Sequence, residues 1–196
     1  MSSDPREASV HSWDVSTGVD GPGTRFVLFL SGCPLRCLYC QNPDTWHMRD
    51  GRRMHLDAIM DELRRYQRFL LVAHGGVTVS GGEPLLQSEF VTEFFGECKA
   101  RGLTTALDTS GHLGVRADDT LLGVTDLVLL DIKSFDPGTY HRLTGKDVEP
   151  TLDFARRLAD RGTAMWIRFV LVPGVTDNPD NVARLADFIA QLGPAV

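Results

Sequence analysis

The chain has 196 residues, 42% hydrophobic and 23% charged, with a formal net charge of −6. That composition suits a soluble globular protein with one sizeable core, and the acidic balance argues against non-specific nucleic-acid binding. The polar stretch from Met1 to Ser9 makes no signal peptide, and no apolar run reaches the about 18 residues of a membrane span. These features predict a single cytoplasmic domain over 1–196, with reduced cysteines and with neither nucleic acid nor a membrane as partner.

In chain order, 24–32 reads as a strand with a turn after it, and 56–72 has helical periodicity. Residues 76–82 read as a short strand ending in glycines, and 88–101 as a helix stopped by Gly102. A strand over 104–110 ends in Asp-Thr-Ser-Gly, and a short helix follows at 118–122. Residues 126–133 form a nearly continuous apolar strand. A helix over 151–160 stops at Gly162, 164–172 is a strand, and the last helix covers 178–191 with Asp177 or Asn178 as its cap. Five strand–helix units in succession predict a parallel sheet covered by helices. Strands with little polar alternation fit burial on both faces. The polar residues and glycines fall at the C-terminal strand ends, where parallel α/β folds bind ligands. Residues 193–196 read as a loop leading into another strand, so the chain is expected to stop one strand short. Strand 164–172 would then present an open apolar edge.

The most informative segment is Cys33-Pro-Leu-Arg-Cys37-Leu-Tyr-Cys40, a C-x3-C-x2-C spacing whose only companion cysteine is the distant Cys98. Three thiolates can hold three corners of an iron–sulfur cluster and leave one iron open, whereas an electron-transfer cluster is usually closed by four. Open positions are kept where a metal must bind substrate or cofactor. On spacing alone, structural zinc with His47 as a fourth ligand, a disulfide pair or three unrelated core cysteines remain alternatives. Four further signals sit at strand ends: Gly81-Gly82-Glu83-Pro84, Asp108-Thr109-Ser110-Gly111, Asp131 with Lys133, and Arg168 ahead of Val172-Pro173-Gly174. Each alone is weak, since a glycine pair after a strand is usually only a turn.

Taken together, these segments resemble the radical S-adenosylmethionine (SAM) superfamily, and within it the glycyl-radical-enzyme activating family, from about Val10 onward. The likeness includes Asp20-Gly21-Pro22-Gly23-Thr24-Arg25, the residues from Cys40 to Trp46, and the segments 80–84, 107–111, 126–133 and 166–174. The resemblance implies a partial (β/α)6 TIM-like barrel, truncated after the fifth βα unit. It also implies roles. Cys33, Cys37 and Cys40 would ligate a [4Fe–4S] cluster whose fourth iron is chelated by SAM. Gly81, Gly82 and Glu83 would lie along the SAM amino group, and Asp108 and Lys133 would contact its methionine moiety. Asp108, Thr109 and Asp131 would hold a monovalent cation, a task for hard oxygen ligands. Asp20 and Arg168 would position the backbone of a target glycine loop. The implied chemistry is reductive cleavage of SAM to methionine and a 5′-deoxyadenosyl radical. That radical removes a glycine Cα hydrogen from a partner such as pyruvate formate-lyase, with flavodoxin or ferredoxin as one-electron donor. No general acid or base is required, and none is assigned.

Two departures from the family pattern stand out. Gln41 follows Cys40 where close relatives often carry histidine, and the family's last strand, with its SAM-contacting histidine, has no counterpart. Other residues read as structure. Cys98 belongs to a helix, His74, His112 and His141 lie near strand ends or loops, and Trp13, Trp46 and Trp166 read as packing, with Trp46 near enough to shield the cluster. Arg49, Arg52 and Arg53, and the helically spaced Arg64, Arg65 and Arg68, read as solvated faces or as a dock for an acidic electron donor. Residues 140–145 resemble a family loop on the substrate side. The competing functions are another radical SAM reaction, such as activation of anaerobic ribonucleotide reductase or small-molecule modification, and a non-catalytic zinc or iron–sulfur module. The last leaves Asp108 and Lys133 without a purpose.

Overall fold

Over residues 4–196, which the computed structural model describes, strand β1 (Glu7–Thr17) turns back on β2 (Thr24–Leu30). A short β3 (Arg52–His55) pairs with the start of β1, and both pairings are antiparallel. The chain continues through α1 (Leu56–Val72), β4 (Gly76–Gly81), α2 (Ser88–Lys99), β5 (Thr104–Thr109) and α3 (Asp119–Gly123). It ends with β6 (Leu127–Asp131), α4 (Pro137–Thr144), α5 (Glu149–Arg161), β7 (Met165–Arg168) and α6 (Pro179–Leu192). The strands form one sheet of order β3-β1-β2-β4-β5-β6-β7, in which β2, β4, β5, β6 and β7 run parallel. The five expected βα units are therefore present, with two antiparallel strands added beside β2. Among the described residues no helix is long and apolar enough to cross a membrane.

Three local expectations change. Most of 140–145, expected to be a loop, falls instead in α4. Asp136 caps it by accepting the Thr139 N–H at 2.8 Å, Pro137 occupies its first turn and Gly145 ends it at φ 71°, a set of signals legible in Asp-Pro and Gly. The last strand stops at Arg168 rather than 172. There the buried Thr176 hydroxyl accepts from the Val172 N–H and donates to the Val170 carbonyl, both at 2.7 Å, and folds that stretch into a turn. Residues read as leading into another strand form a 3-10 turn, Gly193–Ala195. Between the two candidate caps of α6, Asn178 holds the position, its side chain accepting the Asp180 N–H.

Successive strand residues point to opposite faces. Phe26, Leu28, Leu30, Val77, Val79, Leu107, Val128, Leu130 and Met165 share a core with helix residues such as Leu63, Phe94, Leu158 and Leu185. Helix α1 buries Leu56, Ile59, Met60, Leu63 and Leu70, the apolar stripe of an amphipathic helix. Its outer side pairs Arg64 with Asp61 and Arg65 with Glu62, which makes the Arg64–Arg65 portion of that basic run a solvated face. On the other sheet face, Ala106, Leu127 and Leu129 form a separate small apolar cluster. Phe29, Ser80, Asp108, Asp131 and Arg168 follow on that face toward the strands' C-terminal ends, where they line a cavity.

Candidate functional site

That cavity has a volume of about 480 Å³, within the range of small-molecule sites. It is lined by Cys33, Cys37, Cys40, Gly81, Gly82, Asp108, Thr109, Asp131, Lys133, Asp20 and Arg168. Of the cofactor, metal and peptide contacts that the family resemblance implies, only Glu83 is left out of it. A larger groove of about 570 Å³ near Arg49, Arg53 and Arg116 contains none of them. The smaller cavity is the chemically equipped one.

The cysteine loop is tied down at both ends. Gly32 and Cys33 donate backbone N–H groups to the Thr45 and Trp46 carbonyls at 2.6 and 3.0 Å, and Arg36 and Leu38 donate theirs to the Thr144 and Leu143 carbonyls at 2.9 and 3.0 Å. The last carbonyls of a helix lack partners within it, so α4 serves as an anchor for the loop. Leu35, 2% exposed, pins its middle. The Arg36 guanidinium stacks over Trp46, 5.0 Å from the ring centroid. All three thiols are free. Burial pushes the Cys33 thiol up to about 12, and burial also raises Cys37 against the opposing pull of Lys133. Metal ligation would therefore have to displace protons. Among the described residues no three His, Cys, Asp or Glu side chains gather as they would around a single ion. Three soft donors with no fourth suit a cluster with one open iron better than closed tetrahedral zinc.

Gly81 and Gly82 bring the turn after β4 against this loop. Gly81 has φ +112°, and a Cβ there would lie 2.4 Å from the Leu30 backbone; one at Gly82 would lie 2.2 Å from the Gly32 carbonyl. The space they leave is filled first by the chain's own backbone, with Gly82 N–H donating to Leu30 and Glu83 N–H to Gly32, both at 2.8 Å. The Glu83 side chain is 1% exposed. Its carboxylate accepts the Thr109 and Ser110 hydroxyls at 2.6 and 2.5 Å, the Ser110 N–H at 3.0 Å and the Leu85 N–H at 3.2 Å. Glu83 thus shapes the Asp-Thr-Ser-Gly turn from behind. The Thr109 hydroxyl, donating to Glu83, also accepts the Gly111 N–H at 2.9 Å.

Facing the cysteines is a network of two acids and two bases. Asp108 accepts the Ser80 hydroxyl at 2.7 Å and pairs with the Arg168 guanidinium; Asp131 accepts from Arg168 Nε at 3.0 Å and from Lys133 Nζ at 2.7 Å. Burial pushes the Asp108 carboxyl up to about 6, with Arg168 opposing. Burial also penalises the Asp131 charge, but Lys133 and Arg168 outweigh it and hold that carboxyl below its ordinary range. The formal charges cancel, which is what lets four ionised groups share a half-dry site. Asp20 stands apart from this network: Ser16 donates to its carboxylate and Thr78 to its carbonyl, both at 2.6 Å. Ser80 and Tyr39 also line the cavity and were given no role from sequence. Strand parity with Asp108 is the signal that points to Ser80.

A family profile described as the Radical SAM superfamily matches residues 27–186. The chain is 46% identical over 189 residues to the pyruvate formate-lyase-activating enzyme of Listeria monocytogenes, covering 93% of this chain and 76% of that one. It is 44% identical over 187 residues to the pyruvate formate-lyase 1-activating enzyme of Escherichia coli, covering 94% and 76%. Among solved structures, a domain of pyruvate-formate lyase-activating enzyme from Bacteroides vulgatus superposes with a TM-score of 0.55 at 32% identity, over 59% of this chain and 72% of that one. Streptococcus suis SuiB bound to precursor peptide SuiA superposes with a TM-score of 0.68 at 17% identity, over 85% and 36%, a likeness of fold. The chain belongs to the radical SAM superfamily and, within it, to the family of pyruvate formate-lyase-activating enzymes.

Proposed function

We propose that this chain activates a glycyl-radical enzyme of the pyruvate formate-lyase type. A [4Fe–4S] cluster and SAM are the groups its family implies, and together they supply reductive cleavage of SAM to a 5′-deoxyadenosyl radical able to take a glycine Cα hydrogen. Cys33, Cys37 and Cys40 would hold the cluster, strapped in place by α4 and the turn at Thr45. Gly81 and Gly82 present backbone rather than side chain toward the SAM amino group. Lys133 offers a cation to the SAM carboxylate. Asp108, Thr109 and Asp131 would take a monovalent cation, and Asp20 and Arg168 the glycine-loop backbone.

Because Arg168 pairs with both acids, it has to leave at least one of them before a cation or a peptide takes its place. Charge neutrality favours an exchange of one positive group for another over simple release. The exclusion of water and the orientation of the two reacting carbons are this chain's remaining contributions. The reductant is a one-electron donor such as flavodoxin or ferredoxin.

The observation that carries this reading is the convergence of three free thiols and the Asp108–Arg168–Asp131–Lys133 network on one cavity. Electron paramagnetic resonance on anaerobically reconstituted, reduced protein tests it. The expected result is a [4Fe–4S]⁺ signal that changes when SAM is added. A cluster signal indifferent to SAM overturns the reading in favour of an electron carrier.

A further inference from the structure

Arg25 is the largest of the fully buried side chains, 1% exposed. All its hydrogen bonds go to uncharged groups: Nε to the Thr78 hydroxyl at 3.1 Å, the guanidinium to the Thr104 hydroxyl at 2.6 Å and carbonyl at 3.3 Å, and to the Val77 carbonyl. A buried cation without a carboxylate partner is costly, and the core packing described above makes no use of it. Its position says what it does. Arg25 lies on the cavity face of β2, opposite Ser16 of β1, with the loop carrying Asp20 folded across it. Gly21, at φ +120°, sits so close that a Cβ there would be 3.5 Å from Arg25 Nε.

The hydrogen-bond polarity runs one way. A guanidinium can only donate, so the Thr78 hydroxyl must accept from Arg25 and has its single proton left to give. That proton goes to the Asp20 carbonyl at 2.6 Å. The Ser16 hydroxyl meanwhile donates to the Asp20 carboxylate at 2.6 Å. Asp20 is thus held at its backbone and at its side chain, within a loop whose Gly18, Gly21 and Gly23 all adopt positive φ and would otherwise leave it free.

We propose that Ser16, Arg25 and Thr78 are positioning residues for the peptide substrate, holding Asp20 in the conformation that receives the main chain of the target glycine loop. The inference rests on the reading of Asp20 given under the proposed function. Holding the acceptor in place before the peptide arrives lowers the ordering cost of binding. Its loss should appear in affinity rather than in turnover.

The test uses the reconstituted protein and a synthetic peptide carrying the glycine-loop sequence of a pyruvate formate-lyase. It reads peptide Kd by fluorescence anisotropy, KM and kcat for peptide-dependent 5′-deoxyadenosine formation, and Tm. For Thr78→Val, losing the hydroxyl's bond to the Asp20 carbonyl and its bond from Arg25 Nε should raise Kd and KM about tenfold, with kcat at saturating peptide nearly unchanged and Thr78→Ser restoring affinity. Ser16→Ala, at a partly exposed site, moves Kd the same way without touching the sheet interior, and it serves if Thr78→Val folds poorly. A lowered Tm with unaltered peptide Kd in both variants overturns the positioning role. Asp20→Ala separates the two layers. Peptide binding lost there but kept in Thr78→Val and Ser16→Ala overturns only the cradle. Binding kept in Asp20→Ala overturns the reading of Asp20 and the cradle with it.

Discussion

On the helix-covered face of the sheet, β2, β4, β5 and β6 place Phe26, Leu28, Val79, Leu107 and Leu130, all fully buried. The same strands, one residue out of step, place Arg25, Ser80, Asp108 and Asp131 on the other face. The first face is mostly apolar and governed by shape, with the buried Thr105 hydroxyl satisfied by the Val124 carbonyl at 2.6 Å. The second is held by hydrogen bonds and ion pairs between residues distant in sequence, and its ionisable groups sit under opposing influences, as the raised Asp108 and lowered Asp131 carboxyls show. One face makes the fold stable, and the other uses that stability to keep thiols, acids and bases close together in a half-dry cavity. That division predicts which variants lose cofactor and which lose folding free energy.

The sharpest separation is expected from Cys37→Ala. Iron and sulfide content after reconstitution should fall to background while the far-ultraviolet circular dichroism stays that of the parent; a variant that remains brown would remove Cys37 from the ligand set. Phe94→Ala on the helix-covered side should do the reverse. It costs about 3–5 kcal/mol of unfolding free energy in urea titration, with iron bound per folded molecule maintained. Equal loss of cluster and stability in both variants would break the distinction between the faces.

Glu83→Ala lies between the two. It strips the partner from the Thr109 and Ser110 hydroxyls and from two N–H groups, and should cost about 2–4 kcal/mol. Since Glu83 lies outside the cavity, the loss should appear in unfolding curves of the cluster-free protein. A destabilisation seen only with SAM present would instead make Glu83 a direct contact.

The smallest effect belongs to Asp136, at the N-terminal cap of α4. Removing the cap in Asp136→Ala should cost about 1 kcal/mol. Backbone and side-chain hydrogen bonds to Thr139 hold the Asp136 carboxyl below its ordinary value, so its contribution is fully present above the ordinary carboxylate range. It fades as pH falls through the depressed native value. The Tm difference between parent and Asp136→Ala should therefore shrink on acidification; a difference that grows would reverse the assignment.

Much of this architecture was legible in the chain. The bounds of α1, the glycines ending β4 and the Gly162 stop of α5 follow from periodicity and backbone preference, both local properties. Strand β1 escaped notice because His11, Ser12, Asp14 and Ser16 break up its apolar residues. Helix α4 escaped because it is short, although its Asp-Pro start and Gly stop were present. In the candidate site, spacing and residue type located the cysteines and the strand-end acids, and all of them line one cavity. The direction of the Glu83 side chain was not legible, because a Gly-Gly-Glu run does not say which way its last side chain turns.

By itself, the sequence determined the alternation of strands and helices, the residues on each strand face and the three-thiol loop, since each depends on neighbours a few positions away. Only the tertiary structure decided that Glu83 faces the Thr109 turn, that the carbonyls ending α4 hold the cysteine loop and that Arg168 spans Asp108 and Asp131. It also decided that Arg25 supports Asp20 through Thr78. Each of those contacts joins distant segments, and which of several available donors meets a given acceptor is set by how the strands and helices pack around it.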